Sequence, residues 1–377
     1  MREIKLEKAF TDKRIGLALS GGGYRATVFH LGMLSYMAEN NLLEKVAHIS
    51  TVSGGSIAMG LIYRFNSFKW PTSEEYLENV HEEVIAFLQK HSLLEDNMTT
   101  SLVKSAATNG LLALNKKMLR RLEGKTWGLD KDIQELDDHP KWTINATTGD
   151  TGKSWRFDKE KMGDHVIGYM KKPNISLAKT ISASAGFPVV IGPLRLMLNK
   201  YGYKTKEKYD PGEKSFPRET VTLYDGGLYD NLGTEVFFDR NATRLSKSVD
   251  FLVVSDASKP FDMKKDMFTL WQFGKFNQIS DISTEQIRSL RLRMFRNLAY
   301  RKDEPDLGLH IGIGQTELDM EDEAKCAKRI ATDLKALSKR EINCLINNGF
   351  DAASKNFEKY MKDVDEYNAI EETDETA

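Results

Sequence analysis

Cysteine is scarce in this chain of 377 residues: only Cys326 and Cys344 are present. Two thiols cannot build a disulfide framework or a four-cysteine zinc site, and such sparing use points to a reducing compartment. Long apolar runs are also missing. The stretch from Gly186 to Leu198 is interrupted by Pro188, Gly192, Pro193 and Arg195, and crossing a bilayer takes ~20 uninterrupted residues. The N-terminus, MREIKLEKAFTDKR, has no apolar h-region, so no secretory leader is expected. Neither sign of charge dominates. Lys plus Arg is 54 and Asp plus Glu is 55, a formal net charge of −1. Such a chain lacks the whole-molecule positive field of a general binder of nucleic-acid polymers. Core-forming material is plentiful: 40 % of residues are apolar and 29 % charged, which excludes global disorder.

Punctuation by glycine and serine organises the N-terminal part. RIGLALS, residues 14–20, reads as a buried strand running into Gly21-Gly22-Gly23. Tyr24 to Asn40 is apolar all round, as in a buried helix. KVAHISTV, residues 45–52, is a second strand; it ends at Ser53-Gly54-Gly55-Ser56, where another apolar helix begins. This βαβα order implies a mainly parallel central sheet with helices on its faces. Residues 74–122 read as a helical insertion covering one face of the sheet. Residues 142–157 read as a hairpin around Gly149-Asp150. A Lys-, Tyr-, Gly- and Pro-rich loop follows at 200–218, then strands at 219–224 and 249–254. The C-terminal third reads as helical, with helices at 283–300 and 324–350. Residues 363–377 hold seven acids and no Lys or Arg and read as a solvated tail. The expected division is one α/β catalytic unit over 1–362, with its core at about 14–260, a helical C-terminal part at about 263–362, and the acidic tail.

Three motifs carry chemistry. Gly21-Gly22-Gly23-Tyr24-Arg25 lies between a strand and a helix, where glycines let N–H groups converge beside the positive end of the helix dipole. That is an anion site for a phosphate or a transition-state oxyanion. It is not the dinucleotide fingerprint, because Ala26 stands where G-x-G-x-x-G needs glycine. Val52-Ser53-Gly54-Gly55 resembles a nucleophile elbow, with Thr51 in place of its first glycine. Ser50 and Ser56 fit that junction less well. Leu223-Tyr224-Asp225-Gly226-Gly227 brings an acid to the end of a strand; alone, it would be an ordinary Asp-Gly turn.

Together and in this order, the motifs resemble those of the patatin-like phospholipases, which pair a G-G-G-x-R loop, a serine elbow and a downstream D-G-[GA] aspartate. NATTGDTGKSWRF (145–157) and SASAGFPVV (182–190) are similar too, and the resemblance spans roughly 14–260. It implies a three-layer α/β fold and a Ser–Asp dyad, with Ser53 as nucleophile and Asp225 as base. Gly21, Gly22 and Gly23 would form the oxyanion hole; Arg25 and Gly54 would support the loop or the substrate. It also implies a glycerophospholipid or lysophospholipid ester as substrate at a membrane surface, no metal or cofactor, and a cytoplasmic protein, peripheral at most at the inner membrane. A gated effector of anti-phage defence, switched on by a cyclic nucleotide through 74–122 and 200–218, is one alternative. A non-catalytic lipid-binding protein on the same fold is another.

None of the seven histidines sits in a triad context, although His165 and His310 stay open as triad members. Ile287, Leu290, Met294 and Leu298 form a stripe ringed by Arg288, Arg291, Arg293, Arg296 and Arg301; core packing with solvated charges is the expectation, and an anionic lipid surface the alternative. Lys116, Lys117, Arg120 and Arg121 read as a solvated face. Gly152-Lys153-Ser154 is no P-loop, since Thr147 replaces the needed glycine and the segment lies in a hairpin.

Overall fold

The computed structural model describes residues 2–94, 110–188, 191–201, 219–239, 241–258, 272–300, 307–315 and 321–374. In chain order its main elements are α1 (Arg2–Ala9), β1 (Ile15–Leu19), α2 (Gly23–Glu39), β2 (Val46–Thr51), α3 (Gly54–Phe65), α4 (His81–Lys90), α5 (Gly110–Glu123), β3 (Lys141–Thr148), β4 (Ser154–Phe157), β5 (Lys161–Asp164) and β6 (Gly168–Lys171). Then come α6 (Leu177–Ser184), β7 (Leu194–Met197), β8 (Thr220–Asp225), α7 (Gly227–Asp230), β9 (Phe251–Asp256), α8 (Gln272–Ala299), β10 (Gly308–Gly312), α9 (Glu321–Arg329) and α10 (Lys339–Asp374).

One mixed sheet holds these strands in the order β10-β9-β1-β2-β3-β4-β5-β6, with β8 on β3 and β7 on β8. The half from β10 to β3 is parallel, as the βαβα pattern requires. From β4 onward the pairings are antiparallel. The expected hairpin is β3–β4, and the sheet continues past it into β5 and β6. Every residue of β1 and β9 is buried, which is why neither alternates apolar with polar residues along its length. Helix α2 is buried almost all round because the sheet lies on one side and α10 along the other. The two helices touch backbone to backbone: a Cβ on Gly32 would strike the Ile346 carbonyl, and one on Gly349 the Phe29 carbonyl.

Several sequence expectations need correction. Within the described part of 74–122, the helical residues up to Lys90 pack on α2 and α3, whereas α5 packs on α6 and on strand β7 of the sheet. Residues 95–109 and 202–218, which carry much of the expected gate, lie outside the described residues. The helix expected at 324–350 is two helices, α9 and α10, because residues 330–337 leave the helical path to bond with the chain around 24 and 92–94. The acidic end stays helical to Asp374, as the good helix-forming Glu and Ala residues allow. On α8 the buried positions are Leu292, Phe295, Leu298 and Ala299, whereas Leu290 is 53 % exposed. Two of its arginines turn inward, Arg288 to Asp256 at 2.6 Å and Arg291 to Glu235 at 2.8 Å. The two cysteines, one on α9 and one on α10, form a disulfide. Among the described residues no helix is long and apolar enough to cross a membrane.

Candidate active site

Strand β3 decides how the serine and aspartate motifs meet. Along one of its edges β2 pairs in parallel with Lys141 to Ile144, and Thr51 stands opposite Ile144. The opposite edge carries β4. Strand β8 runs the other way and pairs with Ala146 to Thr148, Asp225 standing opposite Ala146. Since β4 occupies the opposite edge over the same residues, β2 and β8 share one edge and converge with their carboxyl ends together. Ser53 leaves the end of β2, and Asp225 ends β8. The carboxyl ends of parallel strands are where ligands bind in open α/β sheets.

Ser53 takes the helix-capping position of α3 at φ 49° and ψ −112°. Positive φ is costly for a residue with a Cβ, and such strain persists only where surroundings impose it. Here the N–H of Ser53 donates to Ser184 Oγ at 2.9 Å, and the Ser53 carbonyl accepts from Ile57 N–H at 3.0 Å. Asn145 Nδ2 on β3 donates to the Thr51 carbonyl at 3.0 Å and to Ser50 Oγ at 2.8 Å. The elbow therefore forms despite Thr51, because neighbours rather than a preceding glycine hold it. Ser50 and Ser56 are committed elsewhere: Ser50 Oγ donates to the Gly233 carbonyl at 2.6 Å, and Ser56 Oγ pairs with Thr51 Oγ1 and Ser184 Oγ, both at 2.9 Å.

Asp225 is 4 % exposed and Ser53 9 %. The Asp225 carboxyl accepts the Gly227 N–H at 2.7 Å. Burial pushes its pKa up to about 7, against the opposing pull of the Gly227 amide and of a hydrogen bond from the Ser53 side chain. At neutral pH this carboxyl is poised between its two protonation states, whereas an ordinary aspartate is almost fully ionised. Among the described residues no histidine hydrogen-bonds either group. His165 is an exposed turn residue. His310 sits on β10, 3.3 Å from Asp256; burial alone would raise the Asp256 pKa, but His310 and Arg288 outweigh it and hold that carboxyl low.

The glycine loop opens α2 next to the elbow. Gly23 adopts φ 60°, and a Cβ there would collide with the Asp333 carbonyl. Amides at a helix start have no intrahelical partner. Two of the loop's are taken: Gly21 N–H donates to the Asn231 carbonyl at 3.0 Å, and Tyr24 N–H to the Asp333 carbonyl at 2.8 Å. Gly21 thus departs from the expected trio of oxyanion donors. The amides of Gly22, Gly23 and, at the start of α3, Gly54 keep no acceptor among the described residues. Arg25 is 1 % exposed. Its Nε and Nη2 donate to the Ala257 carbonyl at 3.2 and 3.0 Å, and its Nη1 to the Ile330 carbonyl at 3.1 Å. Burial lowers its pKa to about 10, so it stays charged at neutral pH. Of its two sequence readings, these contacts are those of loop support.

Sequence reasoning singled out neither Ser184, nor Asn145, nor the 330–337 strap. The first lies in the SASAGFPVV stretch and the second in NATTGDTGKSWRF, so each segment was flagged by resemblance without a role for the residue. The strap acts through backbone carbonyls, which leave no side-chain signature. Among the described residues there is no group of three His, Cys, Asp or Glu side chains able to hold a metal ion.

The family model for patatin-like phospholipases matches residues 17–238. A Saccharomyces cerevisiae protein, SPO1, that bears the name of a meiotic phospholipase is 32 % identical over 112 residues, which cover 29 % of this chain and 16 % of that protein. The structure of human GIVD cytosolic phospholipase A2 superposes with a TM-score of 0.57 at 12 % identity, over 96 % of this chain and 62 % of that one. The chain thus spans less than two thirds of either relative. It belongs to the patatin-like phospholipase family, and the architecture shared with the human enzyme is that of its fold.

Proposed function

We propose that this chain is a lipid acyl hydrolase that cleaves a carboxylic ester of a glycerophospholipid or lysophospholipid through an acyl-enzyme on Ser53. The observation that carries the reading is the convergence of the strained Ser53 elbow at the end of β2 with the buried Asp225 carboxyl at the end of β8, beside three unclaimed helix-start amides. Ser53 Oγ attacks the ester carbonyl carbon while its proton passes to the Asp225 carboxylate. The carbonyl oxygen takes the negative charge and is held by amides of Gly22, Gly23 and Gly54; one such donor is worth ~3 kcal/mol, roughly a hundredfold in rate. As the intermediate collapses, the ester C–O bond breaks and the leaving alkoxide takes the proton from Asp225. Water then attacks the acyl-serine, Asp225 accepts its proton, and the fatty acid departs as Ser53 Oγ is reprotonated.

A base with pKa of about 7 must be ionised to act, so kcat/KM rises with pH up to roughly neutrality and then levels. An aspartate at its usual pKa would be a far weaker base, which gives burial a chemical purpose. The test is free fatty acid released from phospholipid vesicles, together with labelling by a fluorophosphonate probe. Wild type releases acid and is labelled at Ser53. Ser53→Ala does neither, and Asp225→Asn retains the fold with release reduced to background. Full activity in both variants refutes the dyad; an inert, unlabelled wild type refutes the hydrolase reading.

A further inference from the structure

The last residue of α6, Ser184, touches both arms of the site without facing either reacting atom. It is fully buried. Its Oγ accepts the Ser53 N–H at 2.9 Å. Its own carbonyl accepts the Gly226 N–H at 3.2 Å, and two residues on the Gly186 carbonyl accepts the Asp225 N–H at 3.0 Å. The carbonyls at a helix end lack intrahelical donors. Here they are satisfied by the two amides that fix the aspartate's place, while the side chain of the same residue grips the serine's backbone.

The Ser184 hydroxyl also ends a buried chain of hydroxyls. It pairs with Ser56 Oγ at 2.9 Å, which pairs with Thr51 Oγ1 at 2.9 Å, which accepts Trp142 Nε1–H at 2.9 Å. An indole N–H and a backbone N–H are donors only. The chain of three hydroxyls thus runs between two fixed donors, Trp142 at one end and Ser53 at the other, and each end hydroxyl must accept. The bond from the Ser53 amide to Ser184 Oγ is made directly, inside a fully buried helix end, so it does not depend on the middle hydroxyl. Ser53 needs holding, because its backbone sits at φ 49°.

Resting on the dyad reading above, we infer that Ser184 is a positioning residue that sets the separation of Ser53 from Asp225 by tying the elbow and the end of β8 to one helix terminus. Loss of its hydroxyl frees the Ser53 amide while leaving the Asp225 and Gly226 anchors, so the nucleophile drifts relative to its base. Misplacement on the scale of an ångström costs roughly a hundredfold in rate.

The experiment compares Ser184→Ala with Ser56→Ala, which removes a hydroxyl from the same buried chain but leaves the Ser53 amide bonded. Hydrolysis of a soluble fatty-acyl ester, thermal stability and hydrogen exchange of the Ser53 amide are measured for each. In Ser184→Ala, kcat falls by about tenfold to a hundredfold with KM unchanged, the acid limb of the pH profile moves upward as the Ser53 bond to Asp225 weakens, and the Ser53 amide exchanges faster. Ser56→Ala loses comparable stability, keeps kcat within about threefold of wild type, and leaves the Ser53 amide protected. Equal losses of kcat in the two variants, or an unaltered Ser53 exchange rate in Ser184→Ala, overturn the inference. Exchange is read whether or not the protein hydrolyses anything, so an inert wild type would count against the proposed function alone.

Discussion

Replacing Asp225 by asparagine removes a titrating group from a place that disfavours its charge, and the effect on stability follows from the pKa. In the unfolded chain the carboxyl ionises near its ordinary value of 3.8; in the folded protein burial holds it protonated up to about 7. Below pH 4 both states carry the proton and nothing is lost. Between pH 4 and 7 the unfolded state ionises while the folded state does not, so the raised pKa withdraws stability as pH increases. The gap is about three units, and each unit is ~1.36 kcal/mol, so wild type loses about 4 kcal/mol by neutral pH. Asparagine never ionises, and its stability lacks this slope. For 377 residues, an unfolding entropy of ~2.1 cal/mol/K per residue makes 4 kcal/mol worth about 5 °C. The assay is thermal unfolding of wild type and Asp225→Asn from pH 4 to 8. The expected difference in Tm grows in favour of the variant by about 5 °C and flattens above pH 7. A mismatched amide hydrogen bond would displace the whole curve without changing its slope. A difference independent of pH, or one that shrinks as pH rises, refutes the account of Asp225 as a carboxyl strained by desolvation.

Gly23→Ala should cut fatty-acid release to background, since a methyl there meets the Asp333 carbonyl at a backbone conformation unfavourable to alanine; unchanged release would mean the glycine loop is not held by residues 330–337. Arg25→Lys should lower stability by about 3 kcal/mol, because an ammonium cannot reach both the Ala257 and Ile330 carbonyls, with KM unchanged; a large rise in KM at constant Tm would put Arg25 on the substrate instead. Reducing the Cys326–Cys344 bridge, which closes a separation of 18 residues, should cost about 3 kcal/mol and speed amide exchange at Tyr24, Leu93 and Leu94, whose N–H groups bond to the enclosed segment. Equal melting of the reduced and oxidised protein would refute that tie.

Local chemistry made part of this molecule readable in advance. The runs RIGLALS and KVAHISTV became β1 and β2 because both faces of a central parallel strand are buried, and glycine or serine marks each place where the chain turns into a helix. Tertiary bonds were not readable. Between 324 and 350 no proline marks a helix break; the one local signal is the capping box Ser338-Lys339-Arg340-Glu341 that opens α10, and the path before it is decided by the Asp333 and Leu334 carbonyls bonding to Tyr24, Leu93 and Leu94. Likewise Leu290 belongs to the apolar stripe of α8 by spacing, yet the helix is rotated so that Leu292 and Phe295 face inward, while Arg288 and Arg291 pair with Asp256 and Glu235. The meeting of Ser53 with Asp225 depends on β2 and β8 sharing an edge of β3, a register that no motif encodes.

The recognisable stretch, 17–238, is not self-sufficient. Strand β1, at its heart, is hydrogen-bonded along one whole side to β9, and its first glycine loop is braced by carbonyls of Ala257, Ile330 and Asp333. A fragment trimmed to the matched boundaries would keep every signature letter and lose the masonry behind them, exposing a raw sheet edge and leaving the Arg25 cation buried without its acceptors. Transplanting this patatin-like module into another protein therefore requires carrying the downstream residues through the 330–337 segment as well.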